Sequence, residues 1–186
     1  MFQLKHYNYK YLEVYKHHPT HNKYFLFYVN DIEKNSILKM FFNNIIQCNN
    51  KCMYISETTV RVRYAETDKM GYVYYGNYTQ YYEVGRVEAL RQLGTSYKEM
   101  EDNGVMLPVY TCQLKYLKPA LYDDLLVVKT TIKEKPTAKI EFDYEIYNQK
   151  GELLNIGNTV LVFIDMKTNK PCAAPMSFLD KINNYF

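Results

Sequence analysis

The chain has 186 residues and a mass of 22.2 kDa, with 47% hydrophobic residues, 23% charged residues, seven Gly and six Pro, which is ordinary globular composition with room for one core. Four Cys are too few for a disulfide scaffold, the N-terminal stretch carries Lys and His where a secretory leader is apolar, and the run Tyr24 to Val29 falls far short of the roughly 20 apolar residues that cross a bilayer, so a cytoplasmic protein with no transmembrane segment is expected. The net charge of +3 divides unevenly, because residues 1–52 hold seven Lys against Glu13, Asp31 and Glu33, giving +4, and residues 53–186 carry the balance of −1.

Residues 1–52 also contain all four His (His6, His17, His18 and His21) and neither Gly nor Arg, whereas residues 53–186 have every Gly, every Arg and no His. The segment offers short apolar patches such as Ile37 to Ile46, which fit one amphipathic helix, and a CxxxC pair, Cys48 and Cys52, that lacks two further metal ligands. Its basicity without Arg and without a recognised RNA or DNA motif permits only weak, salt-sensitive contact, so no nucleic-acid partner is expected. Residues 1–52 are expected to be an N-terminal extension, poorly ordered, and residues 53–186 the domain.

A body without His cannot host within itself a Ser-His-Asp or Cys-His nucleophile or a His-containing zinc site. Cys112 and Cys172 lie far apart in the chain and read as packing residues. Catalysis there must rest on carboxylates, hydroxyls and backbone, with no metal and no cofactor.

In chain order, alternation from Thr59 predicts a strand with Val60, Val62 and Tyr64 on one side and Arg61 and Arg63 on the other. Asn77 to Leu93 places Tyr78, Tyr81, Tyr82, Gly85, Ala89 and Leu93 at three-four spacing, with Asn77 as N-cap, Gln80 three residues on and Gly94 as the stop. Ser96 to Asn103 predicts a short helix with Ser96 and Glu99 as a capping box. The period then changes to two, and strands are expected over Met106–Lys118, Leu125–Lys135, Ala138–Asn148 and Leu153–Met166. In the third of these, Ile140, Phe142, Tyr144 and Ile146 alternate with Glu141, Asp143 and Glu145. Short connections imply antiparallel neighbours and hence a meander. A five-stranded sheet with one dry face and one long helix is solved by curling the sheet around the helix, an α+β arrangement. Gly85 costs that helix about 1 kcal/mol relative to Ala, so its expected use is close approach of helix to sheet.

Residues Arg63 to Tyr78, RYAETDKMGYVYYGNY, resemble the signature of hotdog-fold acyl-CoA thioesterases of the 4-hydroxybenzoyl-CoA thioesterase type, including the branch found with the Tol-Pal cell-envelope genes. Tyr82 to Arg86 and Lys118 to Asp124 extend the resemblance, which covers Met53 to about Pro175. It implies a hotdog fold, a homodimer or homotetramer with sites at subunit interfaces, and hydrolysis of an acyl-CoA in which coenzyme A is part of the substrate. It also implies that Asp68 is the catalytic carboxylate, acting as nucleophile or as general base on water. The backbone amides of Tyr75 and Gly76, just before the helix, are expected to polarise the thioester carbonyl, and Gly71, Asn77 and Tyr78 to contact substrate. Many members of the envelope-associated branch carry His where Tyr75 stands, so Tyr75 is assigned by its amide alone. An Asp in a Thr-Asp-Lys-Met-Gly run also fits a turn residue; Glu83 and Arg86 read as an i,i+3 pair; and Lys133, Lys135 and Lys139 around Pro136 serve either coenzyme A phosphates or a solvated hairpin. The alternative function is a hotdog domain that binds acyl-CoA or acyl carrier protein without turnover.

Overall fold

The structure, a computed structural model, describes residues 53–186. The helix expected over Ile37 to Ile46, the Cys48 and Cys52 pair and the extension itself lie outside the described residues. Strand β1 spans Tyr54–Arg61, helix α1 Tyr78–Gln92 and helix α2 Tyr97–Asp102. Strands β2 (Val105–Met106), β3 (Val109–Tyr116), β4 (Leu125–Ile132), β5 (Lys139–Tyr147), β6 (Leu153–Val162), β7 (Ile164–Asp165) and β8 (Lys170–Pro171) follow, and helix α3, Met176–Ile182, comes last.

The five long strands form one antiparallel sheet in the order β1-β4-β5-β6-β3. β5 sets its dry face: Ile140, Phe142, Tyr144 and Ile146 are buried, while on the wet face Asp143 pairs with Lys133 at 2.9 Å and Glu145 with Lys129 at 2.8 Å. Against the dry face lies α1, whose buried stripe is the expected Tyr78, Tyr81, Tyr82, Gly85 and Ala89, joined by Leu90. The Tyr82 ring stacks on that of Tyr144 with centroids 4.2 Å apart, and its hydroxyl donates to Asn155. This is a hotdog arrangement, a sheet curled round one central helix.

Gly85 shows how close helix and sheet come. A Cβ built on it would lie 2.7 Å from Thr130 Oγ1 and 2.8 Å from Val128 Cγ1, both on β4.

Four expectations are corrected. The long strands are not a simple meander: β4, β5 and β6 are, but β3 pairs with β6 at the far edge. The reason is the length of the link 117–124, which reaches up to about 26 Å when extended and need span only three strand spacings, about 14 Å. Met106–Lys118 is broken at Leu107–Pro108, and Leu153–Met166 at Phe163, where the chain leaves the main sheet so that β2, β7 and β8 form a small second one. β1 begins earlier than expected and ends at Arg61; Tyr64 lies in a 3-10 turn, Tyr64–Glu66, exposed and edge-on to Tyr122. Asn77 is not a side-chain N-cap, because a 3-10 turn over Tyr75–Asn77 runs directly into α1 and gives Asn77 helical angles. Of the expected capping box on the short helix one half is present, Ser96 Oγ accepting the Glu99 N–H at 3.1 Å, while the Glu99 carboxylate accepts the Thr95 hydroxyl instead of the Ser96 amide.

Candidate active site

The run Thr67 to Val73 turns back on itself as a tight hairpin. Thr67 and Val73 form an antiparallel bridge, Asp68 N donates to Tyr72 O at 2.9 Å, and Gly71 N donates to Asp68 O at 2.9 Å. Gly71 closes the turn at φ +80°, a left-handed angle that side chains disfavour. The Asp68 side chain takes part in this local structure, as Oδ1 accepts the Met70 N–H at 2.8 Å. The turn role that its sequence context suggests is therefore real, and it engages one carboxylate oxygen; Oδ2 has no partner among the described residues.

Four contacts tie the hairpin and the chain that leaves it to the domain. Val73 N donates to Ala120 O at 2.9 Å, and Tyr72 bridges Leu121, both within the link that carries β3 over to β4. Tyr74 N donates to Glu66 O at 2.8 Å. The Asn77 side chain, in place of capping α1, donates from Nδ2 to that same Glu66 oxygen at 2.8 Å.

The chain then enters the 3-10 turn at Tyr75. Its first amides, those of Tyr75 and Gly76, donate to no acceptor among the described residues. They sit at the N-terminal end of the fifteen residues of α1, where aligned peptide dipoles amount to roughly half a positive charge. Tyr116 of β3 reaches over and donates to Tyr75 O at 3.1 Å. The Tyr74 and Tyr75 rings lie 4.5 Å apart, and the Tyr74 phenol is pushed up first by the Tyr75 hydroxyl, with a smaller contribution from the Asp68 charge.

Each expected site residue has a definite place. Asp68, Gly76 and Asn77 are half-buried, and Tyr75 and Gly71 are exposed. Tyr78 is 2% exposed and serves the core, its hydroxyl accepting the Ala120 N–H at 3.2 Å. Glu83 and Arg86 form the i,i+3 pair at 3.5 Å, with the Arg86 side chain 12% exposed. Arg86 and Glu83 line a cavity of about 230 Å³ with Thr79, Gln80, Val109 and Cys112, in the groove between α1 and β3. Lys133 pairs with Asp143 at 2.9 Å.

Glu66 and Tyr81 were not picked out from sequence. Glu66 is buried; burial alone would raise its carboxyl, but bonds from the Arg63 amide and guanidinium and from the Tyr81 hydroxyl outweigh that and hold it below the usual carboxylate range. The Tyr81 phenol is raised, first by its own burial and then by Glu66. The available signal was Arg63-x-x-Glu66, an opposite-charge pair at turn spacing just ahead of Asp68.

Comparison with known proteins decides the family. Residues 62–182 match the family described as the thioesterase-like superfamily. This chain belongs to it. A Bacillus subtilis protein named putative acyl-CoA thioesterase YneP is 38% identical over 128 residues, 69% of this chain and 93% of that one. The acyl-CoA thioester hydrolase YbgC of Escherichia coli is 33% identical over 120 residues, 64% of this chain and 90% of its own length. Among solved structures, a DHNA-CoA thioesterase from Staphylococcus aureus superposes with a TM-score of 0.66 at 39% identity, covering 70% of this chain and 88% of that one. The superfamily match covers the hairpin, α1 and every strand of the main sheet except β1.

Proposed function

We propose that this superfamily member is an acyl-CoA thioesterase that hydrolyses its substrate to a free acid and coenzyme A, with Asp68 as the reacting carboxylate. The observation that carries the reading is the hairpin, which presents a half-buried carboxylate on the segment that runs directly into a helix start whose first two amides lack acceptors among the described residues. The thioester carbonyl oxygen lodges against the N–H groups of Tyr75 and Gly76. As that oxygen turns anionic, donors and helix dipole already in place stabilise it without reorganising. Asp68 either attacks the carbonyl carbon directly, giving an acyl anhydride that water then cleaves, or takes a proton from the water that attacks. Both routes consume one water, break the carbon–sulfur bond and release the carboxylate and coenzyme A; the thiolate leaves without a protein acid. Gly71 and the backbone around it leave room for substrate, while Asn77 and Tyr78 serve the site from behind by fixing Glu66 and Ala120.

The functional unit in this reading is a homodimer or a homotetramer. Among the described residues β3 pairs only with β6, and it exposes Val109, Tyr110 (76% exposed), Tyr116 and the adjoining Leu117. An open, aromatic edge of this kind is a liability that pairing with a second copy removes. Such pairing also covers the groove between α1 and β3. Residues 53–186 are the catalytic domain and residues 1–52 an extension to it. No helix among the described residues is long and apolar enough to cross a membrane, and the site of action proposed is the cytoplasm.

The test is thiol release by the purified protein from short, long and aromatic acyl-CoAs. Aromatic thioesters belong in the panel because relatives are named for dihydroxynaphthoyl-CoA. Turnover of any one substrate supports the reading. Stoichiometric binding of acyl-CoA with no thiol released refutes it and favours a carrier role.

A further inference from the structure

The carboxylate and the two open amides sit on separate local turns, and nothing in either turn fixes their mutual distance. Glu66 touches both. Its backbone oxygen accepts Tyr74 N and the Asn77 side chain, each at 2.8 Å, so it holds the chain on either side of Tyr75 and Gly76. Thr67, next to it, opens the hairpin that presents Asp68. The Glu66 side chain points the other way. Oε2 accepts Arg63 N at 2.8 Å and the Tyr81 hydroxyl at 2.9 Å, and Oε1 accepts Arg63 Nε at 2.7 Å.

Arg63 holds this carboxylate from the solvent side, its own side chain being 73% exposed, and solvent-exposed partners contribute little to stability. The bond that reaches inward is from Tyr81, a core residue of α1 in edge contact with Tyr78. Through it α1 is bonded to the residue that leads into the hairpin. If α1 shifts along its axis, Tyr81 carries Glu66 with it, and Glu66 carries Tyr74, Asn77 and the start of the hairpin.

The geometry points to Glu66 as a positioning residue for thioester hydrolysis, a clamp that fixes the Asp68 carboxylate against the Tyr75 and Gly76 amides through Tyr81 on one side and Tyr74 and Asn77 on the other. This rests on the thioesterase reading above. It differs from a folding role in that the loss falls on the reacting geometry, where a displacement of about 1 Å costs on the order of a hundredfold in rate.

The test uses the full chain with Glu66→Ala, Glu66→Gln and Tyr81→Phe, read by steady-state kinetics and by amide hydrogen exchange. Glu66→Ala is expected to lower kcat by about ten- to a hundredfold with KM within about threefold. Exchange should quicken at Asp68, Val73, Tyr74 and Asn77 and stay unchanged in β5 and β6. Glu66→Gln keeps an acceptor for Arg63 N and Tyr81, and so should recover most of both losses; Tyr81→Phe should give an intermediate loss of the same kind. Unchanged kcat and exchange in Glu66→Ala overturn the clamp. So does a kcat loss that Gln fails to restore while exchange stays at the wild-type level, since that marks a chemical role. If the wild type cleaves no acyl-CoA, the thioesterase reading fails by itself, and the clamp then stands or falls on the exchange pattern across the three variants.

Discussion

Gly85→Ala sets two physical terms against each other in the middle of the central helix. Intrinsic helix propensity favours Ala by about 1 kcal/mol, so a reading of the helix alone expects a more stable protein. The added methyl, however, would stand 2.7 Å from Thr130 Oγ1 and 2.8 Å from Val128 Cγ1, whereas ordinary contact begins near 3.4 Å. Neither neighbour is the free end of a long side chain. Both are short, branched at Cβ, buried, and anchored on β4, which is hydrogen-bonded to β1 and β5 on its two sides. Relief therefore has to come from moving α1 or β4 by several tenths of an ångström. Overpacking of that kind costs about 1–3 kcal/mol, and two contacts at once place it in the upper half of that range. The net expectation is destabilisation by about 1–2 kcal/mol. Urea unfolding of wild type and variant measures it directly, as a lower midpoint at unchanged slope. The same shift moves the N-terminal end of α1, so kcat on a responsive acyl-CoA should fall as well. A variant more stable than wild type would refute the reasoning, because it would mean that the sheet yields to the helix at little cost.

Asp68→Asn keeps the size of the side chain and its turn-forming acceptor for Met70 while removing the charge; it should cost at least about 3 kcal/mol of transition-state stabilisation, on the order of a hundredfold in rate, with an unchanged circular dichroism spectrum, and near wild-type turnover would remove Asp68 from the mechanism. A chain starting at Met53 should stay soluble and keep its kcat/KM on the substrate found in the thiol-release panel; aggregation or lost activity would show that residues 1–52 pack on the domain. Light scattering at micromolar concentration should give a mass near twice or four times 22.2 kDa, and a fully active monomer would refute pairing through β3.

Several features were legible in the sequence because a local period carries them. The stripe of α1 and the alternation of Ile140, Phe142, Tyr144 and Ile146 reflect which face each element buries, and neither needs knowledge of its neighbours. The partner of β3 was not legible, since pairing order depends on how far the link 117–124 travels, and link length only bounds that. The ends of β2 and β7 and the whole of α3 were missed for a related reason. They are short, and the burial of Phe178 is tertiary, its ring lying 6.0 Å from that of Phe163. At the site, the Asp68 motif was visible as a string of residues. Asn77 looked like a cap because cap residues and hairpin ties share the same short polar side chain. Glu66 was hidden because nothing in a sequence says that a particular glutamate is buried.

The link between β3 and β4 has a consequence for anyone altering this protein. Connections on a protein surface ordinarily accept inserted residues, and loop tips are where grafts and fusions succeed. This one lends its interior backbone to the site: Ala120 accepts Val73 N and donates to the Tyr78 hydroxyl, and Leu121 bridges Tyr72. Lengthening it by even one residue on either side of Ala120 would offset the oxygen that holds Val73, and the displacement would pass through Val73 into the hairpin that carries Asp68. Relatives that differ in substrate are therefore expected to vary their loops elsewhere, and a graft aimed at widening the groove between α1 and β3 has to enter from β3 itself.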